Sequence, residues 1–298
     1  MTAPRQVLAA TTYLVTRRCL QRCFFLRPSR LTNETVGYLL ALAAKRYGIQ
    51  VHVFCVLSNH LHLVVTDPEA HLPAFFQFLD SLVARAINAA LGRRETFWAP
   101  GAYSAVALIT PDDVVAKSAY VLANPVAARL VRQARKWPGL WSGPTSIAAG
   151  PLEFKRPRHF FREDGGMPER VELSLVAPAA FDDPVAFRDR LGRELEQAEE
   201  KARAEAAKTG KGFLGEARIL KVRPSASPKT EEVRGGLKPR VACRDKWKRI
   251  EALGRLAAFV EAYRSALRAW RRGRADVRFP AGTYLVRVTH GVACEPAG

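Results

Sequence analysis

The chain has 298 residues, 48% of them hydrophobic, with 47 Lys and Arg against 28 Asp and Glu for a formal net charge of +19. That length and composition support one large core or two ordinary ones, while the cationic excess is costly in self-repulsion unless a polyanion is the usual partner. No run of about 18 apolar residues exists to cross a membrane, and five cysteines without a Cys-x-x-Cys pair argue against a disulfide framework or zinc ribbon.

In chain order, residues 11–16 read as a strand, followed by Arg17, Arg18, Arg22 and Arg27. Thr32-Asn33-Glu34 opens a helix with Val36, Leu39, Leu40, Ala43 and Tyr47 at helical spacing, and Gly48 ends it. Two strands follow, 49–57 and 60–66, separated by Ser58-Asn59. The second carries His60 and His62. Alternation along a strand points both imidazoles the same way, with Leu61, Leu63 and Val65 opposite. The pair is either a metal half-site or two satisfied core residues. Imidazole alone leaves zinc, copper, iron, nickel, manganese and magnesium open. A two-residue turn would pair Leu57 with His60 and Cys55 with His62. That places His52 on the opposite face, as a structural residue, and Cys55 near the metal face, where a buried free thiol is the ordinary reading. His71, His159 and His290 show no partner.

A helix over 71–91 and a strand over 103–108 come next. Thr110-Pro111-Asp112-Asp113 then supplies an N-cap, a proline at the first helical position and an acid at the third, a strong helix start. This helix should end at Asn124, ahead of Pro125. Lys117, Tyr120 and Asn124 share one of its faces; spacing alone makes Tyr120 a core or rim residue. The order β-α-β-β-α-β-α predicts an α+β fold: a ferredoxin-like antiparallel sheet with helices on one face. Beyond residue 150 the chain turns charged and Pro/Gly-rich around a solvated helix at 184–208, with 225–228 and Gly235-Gly236 as linker. A basic amphipathic helix spans 244–272, its stripe of Trp247, Ile250, Leu253, Ala257, Val260, Tyr263, Leu267 and Trp270 reading as a packing face more than a DNA-binding one. A strand over 283–289 closes the chain. The expected organisation is therefore a domain at 1–150, a charged linker and helical region at 151–243, and a basic helix and strand at 244–298 as an accessory DNA-binding region.

Val56-Leu57-Ser58-Asn59-His60-Leu61-His62-Leu63-Val64 resembles the strand motif of the HUH superfamily, and more narrowly that of the single-tyrosine transposases of insertion sequences and their REP-associated relatives. Ser58 and Leu57 replace the usual Pro and Met; neither supplies chemistry. Tyr120-Val121-Leu122-Ala123-Asn124-Pro125-Val126 is similar to that family's tyrosine-helix motif, and Trp137-Pro138-x-x-Trp141-Ser142 to a further segment. The resemblance covers residues 5–145. It implies a divalent cation, Mg²⁺ or Mn²⁺, on His60, His62 and Asn124, and Tyr120 as the nucleophile that forms a 5′-phosphotyrosine link and frees a 3′-OH. It also implies single-stranded or hairpin DNA as substrate, and either a homodimer with exchanged tyrosine helices or a monomer acting in cis.

A phenol of pKa about 10 is a weak nucleophile at neutral pH, and Lys117 on the same face is a candidate to favour the phenolate or contact phosphate. Residues 1–150 carry 16 Lys and Arg against 7 Asp and Glu. Arg17 and Arg18 are the first candidates for phosphate contact, then Arg93-Arg94 and Lys45-Arg46, and collectively they predict salt-dependent binding. The expected location is cytoplasmic and nucleoid-associated, with no membrane partner. The competing reading is a catalytically idle DNA-binding or regulatory descendant, which has no need of all four of His60, His62, Tyr120 and Asn124. A replication initiator or relaxase is disfavoured by the single matching tyrosine, and a metalloenzyme without a nucleic-acid substrate by the charge.

Overall fold

The structure is a computed structural model and describes residues 4–230 and 239–296; the expected linker glycines Gly235-Gly236 lie outside them. The first elements are β1 (Thr11–Arg18), α1 (Arg30–Tyr47), β2 (Gln50–Leu57), β3 (His60–Asp67), α2 (Leu72–Ala90), β4 (Ser104–Leu108) and α3 (Pro111–Ala127). After them come β5 (Leu152–Lys155), β6 (Arg170–Leu173), α4 (Pro184–Lys208), α5 (Glu216–Lys221), β7 (Val241–Ala242), α6 (Lys246–Arg271) and α7 (Leu285–His290). The main sheet has the order β2-β3-β1-β4-β7. Its first four strands are antiparallel to their neighbours, with β7 parallel to β4. The expected α+β sheet of ferredoxin-like strand order is therefore present.

Several local signals explain where elements begin and end. Ser29 caps α1 by accepting from Thr32 N–H, so the helix starts at Arg30, two residues before the expected Thr32, and Gly48 ends it at φ 65°. Asp67 accepts from the N–H groups of His71 and Leu72 and fixes the entry to α2. Thr110 and Asp113 form the expected capping box on α3. The helix does not stop at Asn124, however. Pro125 sits in its last turn, where its missing N–H removes a single bond to Val121. The buried Val126 and the bond from Ala128 N–H to the Asn124 carbonyl (2.8 Å) carry the turn onward.

Strands β2 and β3 are buried along almost their whole length, because both faces of the sheet are covered. On one face, α2 reaches Arg17 of β1 through Asp80. On the other, α3 lies over β2 and β3. The two helices internal to the β-α-β-β-α-β unit follow the one-face expectation; α3 adds a layer opposite them. The outer edge of β2 is closed by residues 137–142. Val56 N–H donates to the Leu140 carbonyl (2.8 Å), Ser142 N–H to the Phe54 carbonyl (3.0 Å) and Trp137 Nε1 to the Val56 carbonyl (3.0 Å). Gly139 permits that approach, since a Cβ there would stand 2.4 Å from Trp137 Nε1 and 3.0 Å from the Val56 carbonyl oxygen.

The second half departs further from expectation. The region read as a charged linker supplies Val171, Leu173, Phe187, Leu191 and Ile219 to the same core. On α4, Phe187, Leu191 and Leu195 recur every four residues, a stripe that seats the helix along α3 under an otherwise charged surface. On α6 the apolar stripe is split. Val260, Tyr263, Leu267 and Trp270 are half-buried, whereas Trp247 is 74% exposed and Ile250, Leu253 and Ala257 are also exposed, and the fully buried residues, Phe259 and Ala266, lie outside the expected stripe. The closing strand at 283–289 is instead the helix α7. Thr283 makes an isolated bridge to Gln6, and Leu285 and Val288 stay exposed because no strand edge receives their alternation.

His52 also differs from its expected placement. A bulge between Val51 and Val53 breaks alternation, and the ring reaches Thr66, whose side chain shares the face of His62. Nδ1 donates to the Val176 carbonyl and Nε2 accepts from Thr66 Oγ1, each at 2.7 Å. Burial, opposed by the Val176 bond, lowers its pKa to about 4. An unfolded histidine titrates near 6.5, so the unfolded chain binds the proton first, and stability falls as pH drops from about 6.5 to about 4. At 1.36 kcal/mol per unit the shift is worth about 3 kcal/mol. Urea midpoints measured across that window should decline in the parent protein and decline less steeply in His52→Gln; equal slopes would contradict the assignment.

Candidate active site

The register of the three central strands builds the site. Thr16 pairs with His62 and Arg18 with His60 across β1 and β3, and Cys55 pairs with His62 and Leu57 with His60 across β2 and β3. The two imidazoles stand on one face with ring centroids 4.6 Å apart. Each spends Nδ1 on a neighbouring oxygen. His60 Nδ1 donates to Asn59 Oδ1 (2.7 Å), and Asn59 is itself oriented by donating Nδ2 to the Arg22 carbonyl (3.2 Å). His62 Nδ1 lies 2.8 Å from Thr16 Oγ1. These contacts leave Nε2 of each ring as the atom able to bind a ligand, the arrangement that orients metal-binding histidines.

Burial keeps both rings neutral. His60 is lowered to about 4, first by burial and then by the charges of Arg18 and Arg22. His62 is lowered well below the usual imidazole range by burial and then by His60. Neutral rings have lone pairs to offer a cation. The Cys55 thiol is fully buried and pushed up by that burial, so it stays protonated and offers no thiolate. Among the described residues no group of three or more His, Cys, Asp or Glu could hold a metal ion. A cation on the pair would therefore need a third donor of another kind, such as an amide oxygen, water or phosphate.

Helix α3 brings Tyr120 to the pair. Its ring centroid is 5.7 Å from that of His62, at 73°, and the residue is 48% exposed. Lys117 Nζ stands 5.7 Å from the Tyr120 ring centroid. Asn124, buried, lies one turn farther along the same helix. Trp141 holds this part of α3, donating Nε1 to the Leu122 carbonyl at 3.0 Å, while the neighbouring Ser142 is bonded to β2. Both halves of the site come from one chain. Tyr120 also borders two openings: a groove of about 600 Å³ between α3 and α4, and a cleft of about 410 Å³ between α3 and the β7–α6 junction.

The basic candidates separate into different environments. Arg18 lies across from His60, and Arg93 and Arg94 lie on the segment leading to Trp98, which bridges to Cys19 beside the site. Arg94 is exposed; Arg93 lies 4.0 Å over the Phe25 ring and 3.5 Å from Glu95. Arg17 is a correction. It points to the opposite face, paired to Asp80 at 2.8 Å and donating to the carbonyls of Ala99 (3.1 Å) and Gly101 (2.8 Å), so its charge is committed to packing. Lys45 and Arg46, both exposed, lie away from the histidine pair. They end α1 just before β2, whose first residue pairs with Thr66 at the far end of β3 from His60, and Arg46 stacks 4.9 Å over Phe78. Two positioning residues, Thr16 and Asn59, did not emerge as candidates. The register places Thr16 beside His62, and Asn59 adjoins His60 within the motif itself.

Fold and site together define an α+β protein in which a buried, neutral histidine pair on a sheet faces a solvent-accessible tyrosine on a covering helix. No protein-family model matches the sequence, and no curated protein matches it significantly. Among solved structures, the chain is similar to a REP-associated tyrosine transposase bound to a REP hairpin, at 15% identity and a TM-score of 0.42, over 61% of this chain and 98% of that one. It is also similar to a protein of Deinococcus radiodurans R1 described as a candidate transposase, at 18% identity and a TM-score of 0.28, over 36% of this chain and 85% of that one.

Arg17→Ala should test its reassignment. Burial raises the Asp80 carboxyl to about 7 against the pull of Arg17; removing the cation lets that acid take up a proton but leaves the carbonyls of Ala99 and Gly101 without the guanidinium donor, a loss of about 1–3 kcal/mol. A lowered melting temperature is expected; an unchanged melting temperature would show that the Arg17 charge is not committed to packing.

Proposed function

We propose that the protein is a metal-dependent, single-tyrosine DNA endonuclease and strand transferase, a transposase-like enzyme acting on single-stranded or hairpin DNA in the nucleoid. The observation that carries this reading is the placement of an accessible Tyr120 ring beside a neutral histidine pair whose Nδ1 atoms are already engaged. The motif resemblance and the net charge of +19 support DNA as the substrate.

In the proposed reaction, Tyr120 Oη attacks the phosphorus of a phosphodiester. The O–P bond to tyrosine forms as the P–O3′ bond breaks, the phenol proton passes to solvent, and the departing 3′ oxygen ends as a hydroxyl. One ester replaces another, so the bond is conserved for rejoining, and no co-reactant is required. A divalent cation, Mg²⁺ or Mn²⁺, held by Nε2 of His60 and His62 with the Asn124 amide oxygen, would polarise the phosphate and stabilise charge developing on it. Thr16 and Asn59 hold the imidazoles in orientation. Lys117 contributes positive charge next to the phenol, favouring phenolate over phenol.

The test is incubation with hairpin DNA from the flanks of the protein's own gene, with and without Mg²⁺ or Mn²⁺. Covalent protein–DNA adducts are expected with metal, none from Tyr120→Phe, and at least about 100-fold fewer from His60→Ala or His62→Ala. Lys117→Ala should move the pH–rate profile toward higher pH, because the phenolate loses its neighbouring cation. Adducts that persist in Tyr120→Phe would overturn the nucleophile; strong hairpin binding without adducts under any metal would favour the regulatory alternative.

A further inference from the structure

The cleft of about 410 Å³ on the α6 side of Tyr120 has an unusual charge balance. Lys117, Arg244 and Arg249 line it together with Tyr120, and Asp113 is the one acid among its lining residues. That acid is already spent. Asp113 Oδ2 accepts from Thr110 N–H (3.0 Å) and Thr110 Oγ1 (2.6 Å), and Oδ1 accepts from Arg244 N–H (2.8 Å). The adjacent Asp245 caps α6, accepting from Trp247 N–H (2.8 Å) and Lys248 N–H (3.0 Å). The carboxylates at this junction thus serve backbone N–H groups and the Thr110 hydroxyl, while the Arg244 and Arg249 side chains remain exposed. The same backbone bond from Arg244 to Asp113 ties the β7–α6 junction to the first turn of α3, so the cations are held in place relative to Tyr120.

We propose that this cleft is a phosphate-binding track for a single-stranded DNA flank, with Arg244 and Arg249 as its principal contacts. The proposal rests on the reading of Tyr120 as the nucleophile. A strand attacked at Tyr120 must continue away from it, and this cleft offers a concave, positively charged path that begins at the tyrosine. The groove toward α4 is floored by small side chains and mixes Glu194 and Glu205 with Arg129, Lys201 and the shared Arg244, so its charge is more nearly balanced than that of the cleft, where three cations meet one acid. A lipid surface fits less well than a strand, because the cations line a recess rather than a protruding face.

The experiment uses full-length Tyr120→Phe protein, so that no cleavage occurs, and two labelled DNAs: a hairpin with a single-stranded flank and the same hairpin blunt-ended. Each phosphate contact to a single strand contributes about 0.7 to the slope of log K against log salt. Adding Arg244→Ala and Arg249→Ala together should reduce that slope by about 1.4 on the flanked hairpin and leave the blunt one unchanged, while the paired Arg→Lys variants should keep it. An unchanged slope on the flanked hairpin, or equal losses on both DNAs, would overturn the track. Adduct formation by the parent protein with an unchanged slope removes the track and spares the nucleophile. A reduced slope with no adducts from the parent protein retains the track as a DNA contact and removes the nucleophile.

Discussion

Two imidazoles buried on one strand impose the constraint on which the site depends. Each ring has two nitrogens to satisfy, and neither ring can carry its charge where it stands. The sheet answers through register: Thr16 is the residue paired with His62, and the turn residue Asn59 is bonded to His60 and fixed by the Arg22 carbonyl. A slip of one residue between β1 and β3 would send both rings to the opposite face, against α2 and away from Tyr120. Pairing of β3 on both sides, with apolar residues filling β2 and β3, makes that slip prohibitive. The packing that stabilises the core therefore also sets the direction of two Nε2 atoms.

The tyrosine is held by different means. Helix α3 is anchored at its start by the capping box, which shares Asp113 with the β7–α6 junction. It is anchored again past its middle by Trp141, whose neighbour Ser142 is bonded to the edge of β2. The tryptophan-containing segment thus joins two tasks, closing an open strand edge and fixing the helix that carries the candidate nucleophile. A packed helix with a second anchor has little freedom to turn, so Tyr120 can be half exposed to solvent and still stand at a defined distance from His62. Fixed orientation of this sort converts a weak nucleophile into a useful one by removing the entropy of alignment.

Local chemistry made much of this visible in the sequence, and long-range pairing explains the remainder. The His60–His62 alternation, the Leu57–His60 and Cys55–His62 pairing, the Thr110 cap and the Gly48 stop all depend on residues close in sequence. Arg17 shows the limit. Its neighbour Arg18 faces the site, but alternation turns Arg17 to the far side, where Asp80 of α2 captures it, and that partner lies 63 positions away. His52 was displaced by a bulge, which breaks alternation without any glycine or proline to mark it. Residues 283–289 have a strand-like composition, yet strand formation needs an edge to pair with. The stripe on α6 records helical periodicity correctly without saying how much of its length a core would cover.

Charge location follows the same logic. A net charge of +19 does not locate a surface, because several of the cations do structural work: Arg17 with Asp80, Arg46 on Phe78, Arg93 on Phe25. Near Tyr120 the acids are disposed differently on the two sides. Where carboxylates cap helices, as Asp113 and Asp245 do, their oxygens accept from N–H donors of the backbone rather than from the neighbouring guanidinium groups. Along α4 a carboxylate does pair with a cation, Glu199 with Arg203, and Glu194 and Glu205 stand in the groove with Arg129, Lys201 and Arg244. The two openings at Tyr120 thus differ in balance, three cations to one acid toward α6 and three to two toward α4, with Arg244 common to both, and it is on this difference that the proposed path toward α6 rests.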